Sequence, residues 1–178
     1  MIVKEGFDGF SMQKLAKAAE VSPATLYIYF KDREDLLIQL FLSVHDKMTD
    51  ATLENFDPDM SFSEGLKIQW INRANHFMKY PEQMHFMEQI SHSPLHDQAL
   101  KQMDQRFKNA MKKFVSNAIQ RKEIVKIPLE VYWSVAFAPL YSLIKFNMNK
   151  KNMAGDPFKL KEAIMDQTLQ LVLKALKP

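Results

Sequence analysis

The chain has 178 residues, enough for a buried core and for one or two small domains. It contains no cysteine, which excludes a disulfide framework and a thiolate zinc site. It also has no apolar leader segment and no long uncharged run, so we expect a cytoplasmic protein without a membrane span. Its net charge is only +3, and its four glycines and weak alternation of polarity favour helices over sheet.

Residues 11–30 are typical of two short helices joined by a tight turn. Ser11 is a suitable N-cap, and apolar residues follow it at three- and four-residue spacing. Ser22 caps the second helix, with Pro23 at the first helical position, where the missing N–H costs nothing. The pattern predicts a helix-turn-helix, whose second helix enters the major groove of DNA.

Two runs, residues 6–12 and residues 28–37, resemble the N-terminal domain of the tetracycline-repressor (TetR) family of bacterial transcriptional regulators. The resemblance implies an all-α fold with a helix-turn-helix head over residues 1–34, whose first helix is apparently truncated. A helical ligand-binding and dimerisation body would follow over residues 35–178. Glu20 stands at the turn position where the family usually has glycine.

Nine head residues are candidate DNA contacts by this resemblance. Gln13, Ser22, Pro23, Ala24 and Thr25 would approach bases, and Tyr27, Tyr29, Lys31 and Arg33 would approach phosphates. Glutamine also suits adenine, because it can contact N6 and N7 together. Residues 1–35 hold fewer cations than acids, so hydroxyl and backbone N–H groups would supply many phosphate contacts. As an alternative, Tyr27 packs half-buried against the core of the head.

Apolar residues at helical spacing predict further helices through the rest of the chain. Prolines and acidic breaker residues separate them, and serine, aspartate or proline marks several starts. The predicted bounds are residues 33–56, 61–80, 81–92, 97–121, 128–149 and 157–177.

The last two predicted helices indicate a homodimer. The helix over residues 128–149 is apolar on nearly all sides, with a kink expected at Pro139, and the helix over residues 157–177 has a broad apolar stripe. A monomer of this size would leave these faces partly uncovered, so we expect both helices to meet their counterparts in a four-helix interface. The family resemblance implies the same arrangement.

Aromatic and methionine side chains are plentiful in the body and suit a pocket for a small, largely apolar molecule. The candidate ligand-binding residues are Trp70, Phe77, Met84, Met87, Met103, Phe107, Trp133, Phe137 and Tyr141. The same stripes are what an ordinary helical core requires, and both interpretations stay open for each residue. Polar groups expected to reach such a cavity are Asn75, His85, His92, Gln105 and Tyr141.

Other chemistry has weaker support. His85, Glu88 and His92 share one helix face, with His96 nearby, but there is no HExxH motif, so we assign no metal and no cofactor. Phosphate-binding glycine loops, a nucleophile elbow and a cysteine nucleophile are absent, which argues against an enzyme. The basic stretch over residues 101–127 is expected to be a solvated helix face, with a second nucleic-acid surface or an anion site as alternatives.

These patterns predict a ligand-responsive DNA-binding transcriptional regulator. It would bind a palindromic operator in double-stranded DNA as a homodimer and repress transcription until a small-molecule effector releases it. The alternative is a small-molecule binding or carrier protein without a DNA role.

Overall fold

The computed structural model describes all 178 residues and contains eleven α-helices and no β-strand. The all-α fold class predicted from the sequence is therefore confirmed. No helix combines the length and apolar character that a membrane crossing requires. In chain order the helices are α1 (Ile2–Gly9), α2 (Met12–Ala18), α3 (Pro23–Tyr29), α4 (Arg33–Leu53), α5 (Phe62–Lys79), α6 (Pro81–Ser91), α7 (His96–Gln102), α8 (Arg106–Gln120), α9 (Leu129–Ala136), α10 (Ala138–Asn149) and α11 (Glu162–Leu176).

The helices form two compact units. Unit 1 comprises Met1–Lys47 and Tyr80–Asp104, and unit 2 comprises Met48–Lys79 and Gln105–Pro178. The continuous helix α4 therefore contributes residues to both. These units reflect only which parts of the chain pack compactly together. The boundary between a DNA-binding head over residues 1–34 and a body over residues 35–178 stays a prediction.

Unit 1 has an apolar core drawn mainly from α1, α4, α6 and α7. Leu37 of α4 is fully buried, and Phe41 lies one turn further along the same helix face. Full burial of such a side chain contributes about 1.5–3 kcal/mol. Leu26 and Phe30, from α3 and its C-cap, are only partly buried against this core, so α3 keeps most of its surface in solvent. The other core members are Ile2, Phe10, Met12, Leu36, Ile38, Val44, Phe86, Ile90, Leu95 and Ala99.

A residue in the left-handed conformation forms the turn between α2 and α3. Glu20 has φ 56°, and the N–H groups of Glu20 and Val21 donate to the carbonyls of Lys17 and Ala16 at 3.3 and 3.0 Å. This Schellman pattern normally has glycine at the left-handed position, because glycine has no Cβ to clash there. The backbone therefore explains why the family resemblance implies glycine where this chain has Glu20.

Replacing Glu20 by glycine is expected to raise the free energy of unfolding by roughly 0.5–1 kcal/mol. The left-handed conformation costs a non-glycine residue about 1–2 kcal/mol, and the greater entropy of glycine in the unfolded chain offsets part of that gain. Chemical denaturation measures the change. Glu20→Ala is the matched control, since it removes the same carboxylate but keeps the Cβ. Equal stabilisation by both variants would show that backbone strain is not its cause.

Unit 2 packs α5 against α8 and α10, and α11 against α9 and α10. Trp70 in α5 is fully buried, and its indole Nε1–H donates to the carbonyl of Ala136 at 2.8 Å. That carbonyl lies at the C-terminal end of α9, where helix carbonyls lack their usual partners. At the start of α5, Ser61 Oγ accepts the Glu64 N–H at 3.4 Å and donates to the Glu64 carboxylate at 2.5 Å. The first contact joins the middle of α5 to the end of α9, and the second caps the start of α5.

The helix predicted over residues 128–149 is two helices, α9 and α10. Phe137 lies between them with φ −124° and ψ −32°, and Pro139 falls in the first turn of α10. Proline has no N–H, and its ring crowds the carbonyl four residues earlier, so a helix ends before it more readily than it passes through it. The sequence analysis located the irregularity correctly but expected a kink within one helix.

Two other helices differ from their predicted bounds. α11 begins at Glu162 instead of residue 157, because the chain first forms an antiparallel bridge between Lys151 and Pro157. The helix predicted over residues 97–121 is divided into α7 and α8, since Met103 has extended backbone angles of φ −65° and ψ 139°.

Candidate functional site

The start of α3 is organised by a serine cap. Ser22 Oγ accepts the Thr25 N–H at 3.1 Å and lies 2.9 Å from the Thr25 hydroxyl oxygen. Pro23 occupies the first turn, and Ser22, Pro23 and Ala24 are all exposed. Three of the four predicted base-contacting residues at the start of α3 are therefore exposed, and Thr25 is half-buried.

The remaining surface of α3 is exposed and uncharged. Tyr27, Ile28 and Tyr29 expose 53%, 76% and 71% of their surface. More than half of the Tyr27 surface therefore lies in solvent. Residues 21–30 contain no acidic or basic side chain, so this helix carries no charge to repel a phosphate or to attract one strongly.

Gln13, in α2, and Lys31, just after α3, are both exposed. The backbone N–H of Lys31 donates to the Asp35 carboxylate at 2.8 Å, and the Asp35 N–H donates to Asp32 Oδ1 at 2.8 Å. Hydrogen bonds from Gln39 and from the Lys31 backbone hold the pKa of Asp35 below its ordinary value. These contacts define where α4 begins and keep Lys31 immediately before it.

Arg33 is directed into unit 1. Its Nε–H donates to the carbonyl of Phe10 at 3.2 Å, and its Nη2 donates to the carbonyl of Phe7. The guanidinium carbon also lies 5.7 Å from the centre of the Phe10 ring. The structure thus gives Arg33 an internal contact between the start of α4 and the end of α1. Lys31 is the only other charged residue among the nine candidates, and it is exposed.

The nine predicted ligand-binding residues divide between the two units. Met84, Met87 and Met103 belong to unit 1, so a single pocket within unit 2 does not include them. The six in unit 2 are Trp70, Phe77, Phe107, Trp133, Phe137 and Tyr141.

Four of those six residues surround Arg73 of α5. The guanidinium carbon lies 5.0, 5.7 and 4.7 Å from the ring centres of Phe107, Trp133 and Phe137. Nη1 donates to the hydroxyl of Tyr141 at 2.8 Å. We call Arg73 and these four residues the arginine cage.

The arginine cage buries a positive charge without an acidic partner. Arg73 has 0% exposure, takes part in no ion pair, and donates from Nη2 to Gln69 Oε1 at 3.3 Å, while its Nε has no hydrogen-bond partner. The nearby Tyr132 hydroxyl is also buried without a partner. Burial raises the pKa of Tyr132, and the Arg73 charge offsets a smaller part of that rise.

His85 and Glu88 of α6 and His92 at its C-cap line an open cavity of about 530 Å³ in unit 1. His85 Nδ1 is 4.0 Å from the Glu88 carboxylate, and His92 Nδ1 is 2.8 Å from the Glu88 carbonyl oxygen. No cluster of histidine and carboxylate side chains in the chain has the arrangement that holds a metal ion. Asn75 and Gln105, also considered as cavity residues, are exposed.

Two residues with functional potential were missed by the sequence analysis. Ile28 is the most exposed of the large apolar residues in α3. It lies four residues after Ala24, a predicted base contact, and this spacing places both residues on the same helix face. Arg73 lies in the middle of α5 between Trp70 and Phe77, both of which are buried. A lone arginine on an apolar helix face was the available signal there.

Comparison with known proteins connects the first part of the chain to a family of DNA-binding regulators. Residues 1–40 match the family described as bacterial regulatory proteins, tetR family. An HTH-type transcriptional regulator from Haemophilus influenzae is 41% identical over 73 residues, which cover 40% of this chain and 38% of that protein. The fatty acid metabolism regulator protein of Bacillus subtilis is 44% identical over 41 residues, which cover 23% of this chain and 21% of that protein. The matches thus span well under half of either relative.

Solved structures extend the likeness to nearly the whole chain. A TetR family transcription regulator from Marinobacter aquaeolei has a TM-score of 0.77 and 26% identity, with 98% of this chain and 88% of that chain covered. A TetR-family regulator from Haemophilus influenzae has a TM-score of 0.80 and 21% identity, covers 99% of this chain and 90% of its own, and supports the fold alone. These matches show that residues 1–40 are similar in sequence to the tetR family of bacterial regulatory proteins, and that the chain is similar in fold to TetR-family regulators over nearly its whole length.

Proposed function

We propose that the protein binds an operator in double-stranded DNA through α2 and α3 and regulates transcription in the cytoplasm. The observation that carries this proposal is the exposed, uncharged surface of α3 behind the Ser22 cap. A helix of this kind can approach base edges closely, since no charged side chain has to be desolvated in the groove.

The contacts are proposed to divide between bases and phosphates. Gln13 and the segment from Ser22 to Thr25 would read base edges, and the exposed Ile28 side chain suits the methyl group of thymine. The hydroxyl groups of Tyr27 and Tyr29 and the ammonium group of Lys31 would contact phosphates. Arg33, which donates to backbone carbonyls in unit 1, is assigned a positioning role at the start of α4.

We further propose a homodimer through the predicted interface segments 128–149 and 157–177. Apolar side chains exposed there support it: Leu129 and Val131 of α9 expose 69% and 46% of their surface, and Leu171 of α11 exposes 60%. Burying such residues against a second copy removes apolar surface from water. A two-fold dimer would bind two half-sites of a palindromic operator.

The effector is proposed to be a small, largely apolar molecule that enters unit 2 and releases the operator. The aromatic residues of the arginine cage support this assignment. A ligand acts as a switch only if it prefers the arrangement that does not fit DNA, and a coupling of about 1–3 kcal/mol suffices.

A gel-shift titration with DNA from the promoter region of the protein's own gene tests the proposed function. We expect a specific shift at low salt, weakened about fivefold or more by Thr25→Ala, because the variant removes the Thr25 hydroxyl from the start of α3. Ser116→Ala, an exposed hydroxyl change in α8, is the control and should bind normally. If the wild-type protein binds no DNA while still binding small molecules, the carrier function is the correct one.

Lys31→Ala is expected to weaken binding to all DNA sequences alike and to reduce the slope of log affinity against log salt by about one. The physical reason is the loss of one phosphate contact and of the counterion that it releases. Measuring the salt dependence on operator and on unrelated DNA separates this from base readout. Lys108→Ala in α8 is the matched control. An equal change of slope for Lys108→Ala would mean that the basic stretch over residues 101–127 also binds DNA.

A further inference from the structure

We propose that Arg73 anchors the negatively charged group of the effector, and that the effector is an organic carboxylate with an apolar body. This inference rests on the proposed effector role of unit 2 and adds the chemical class of the ligand. It starts from an unusual feature of the core: a guanidinium with 0% exposure and no acidic partner.

A buried arginine without a counter-charge is unfavourable, because burial removes the hydration of the ion. Stacking on the rings of Phe107, Trp133 and Phe137 recovers part of that cost, since each aromatic face attracts a cation. The hydrogen bonds to Gln69 and Tyr141 recover another part. All of these partners are neutral, so no negative charge balances the guanidinium. A bound carboxylate would supply that negative charge.

The free donors of the cage suit a carboxylate. Arg73 Nε–H has no acceptor, and the planar guanidinium presents its N–H groups as a fork that matches two carboxylate oxygens. The hydroxyl of Tyr132 is a second buried donor without a partner. Its ring lies 6.1 Å from that of Phe137, which itself packs on Arg73, so both free donors belong to one region.

The body of the ligand is expected to be apolar because the cage is made of aromatic rings. Phe137 is fully buried, whereas Trp133 is 38% exposed and Phe107 is half-buried. The outer edge of the cage therefore consists of two large rings that contact both solvent and Arg73. A carboxylate approaching past them would leave its apolar part against those rings, and an inorganic anion would gain nothing from them.

A chain of hydrogen bonds connects the cage to α4. Arg73 donates to Gln69 Oε1, and Gln69 Nε2 donates to the carbonyl of Thr52 at 2.6 Å. Asn72 Nδ2 donates to the same carbonyl at 3.2 Å and to the carbonyl of Glu54 at 2.8 Å. A ligand that draws the guanidinium toward itself competes with Gln69 for donors and so changes the contacts at the C-terminal end of α4.

Isothermal titration of the DNA-free protein tests the proposal with two matched pairs of probes. Octanoate and 2-naphthoate carry the negative charge, and 1-octanol and 2-naphthol have similar bodies without it. We expect each acid to bind about tenfold or more tightly than its neutral counterpart, since only the acid can pair its charge with the desolvated guanidinium. Arg73→Met should abolish this preference, and Arg73→Lys should retain only part of it, because lysine lacks the planar fork.

Arg106→Met is the matched control, because Arg106 is an exposed arginine in the same unit and should leave acid binding unchanged. If Arg73→Met does not fold, Arg73→Lys and the change of tryptophan fluorescence on adding acid, compared with a Trp133→Phe variant, provide the test. Equal binding of acids and alcohols, wild-type affinity in both Arg73 variants, or no binding of either acid at millimolar concentration would each overturn the proposal.

A gel shift with the same probes separates this inference from the proposed function. If an acid binds at Arg73 but the protein keeps its DNA, the release mechanism fails and the Arg73 site stands. If an acid releases DNA equally well from the Arg73→Met variant, the effector response stands and the Arg73 site is overturned.

Discussion

Phe137→Ala is expected to lower the free energy of unfolding by about 3–5 kcal/mol, the range measured for large aromatic residues removed from a packed core. Phe137 has 0% exposure, and its ring centre lies 4.8 Å from that of Trp133 and 4.7 Å from the guanidinium carbon of Arg73. Truncation leaves a cavity and also removes one of the three rings that stabilise the buried charge. The effect should therefore fall in the upper part of the range.

Urea denaturation at a fixed protein concentration measures this change, because association with a second copy would otherwise shift the apparent stability. Met153→Ala is the control: Met153 is 90% exposed, so its truncation should change stability by less than about 0.5 kcal/mol. A loss below 1 kcal/mol for Phe137→Ala would mean that the junction between α9 and α10 is not part of the rigid core of unit 2.

Features encoded by neighbouring residues were predictable from the sequence. The cap at Ser22 depends on side chains and backbone within one turn, and it has the predicted place in the structure. At Glu20 the family resemblance marked only a usual glycine position, and the structure shows that the backbone there is left-handed. The break at Tyr80 and Pro81 between α5 and α6 follows from the same local chemistry. Family resemblance added the assignment of these elements to a head that binds DNA, which stays a proposal.

Features that depend on distant contacts were not predictable in the same way. Arg73 looks like an ordinary helical arginine, and only the packing of α8, α9 and α10 around α5 shows that its charge is enclosed. The family resemblance implies that Arg33 contacts phosphate, but in the structure its guanidinium donates to the carbonyl groups of Phe7 and Phe10, more than 20 residues earlier. The methionines at positions 84, 87 and 103 suit an apolar pocket by composition. Only the fold shows that they belong to unit 1 and not to unit 2 with the other predicted ligand-binding residues.

Gly65→Ala is expected to destabilise the protein by about 1–3 kcal/mol, toward the upper end of that range, although alanine is the better helix former. Gly65 is buried in α5, and a Cβ at this position would overlap Cε2 of Phe114 and lie 2.6 Å from its Cζ. The Phe114 ring cannot move aside easily, because it is fully buried, stacks on Phe62 at 5.4 Å and meets Phe56 edge-on at 5.1 Å.

A double-mutant cycle identifies the clash as the cause. Phe114→Leu alone should destabilise by leaving a cavity, but in the Gly65→Ala background the smaller side chain makes room for the new methyl group, so the combined loss should be smaller than the sum. Asn75→Ala at an exposed position of α5 is the control for helix propensity and should be neutral or slightly stabilising. If Gly65→Ala behaved like Asn75→Ala, helix propensity would outweigh packing here, and the Phe114 ring would have to move aside to admit the Cβ.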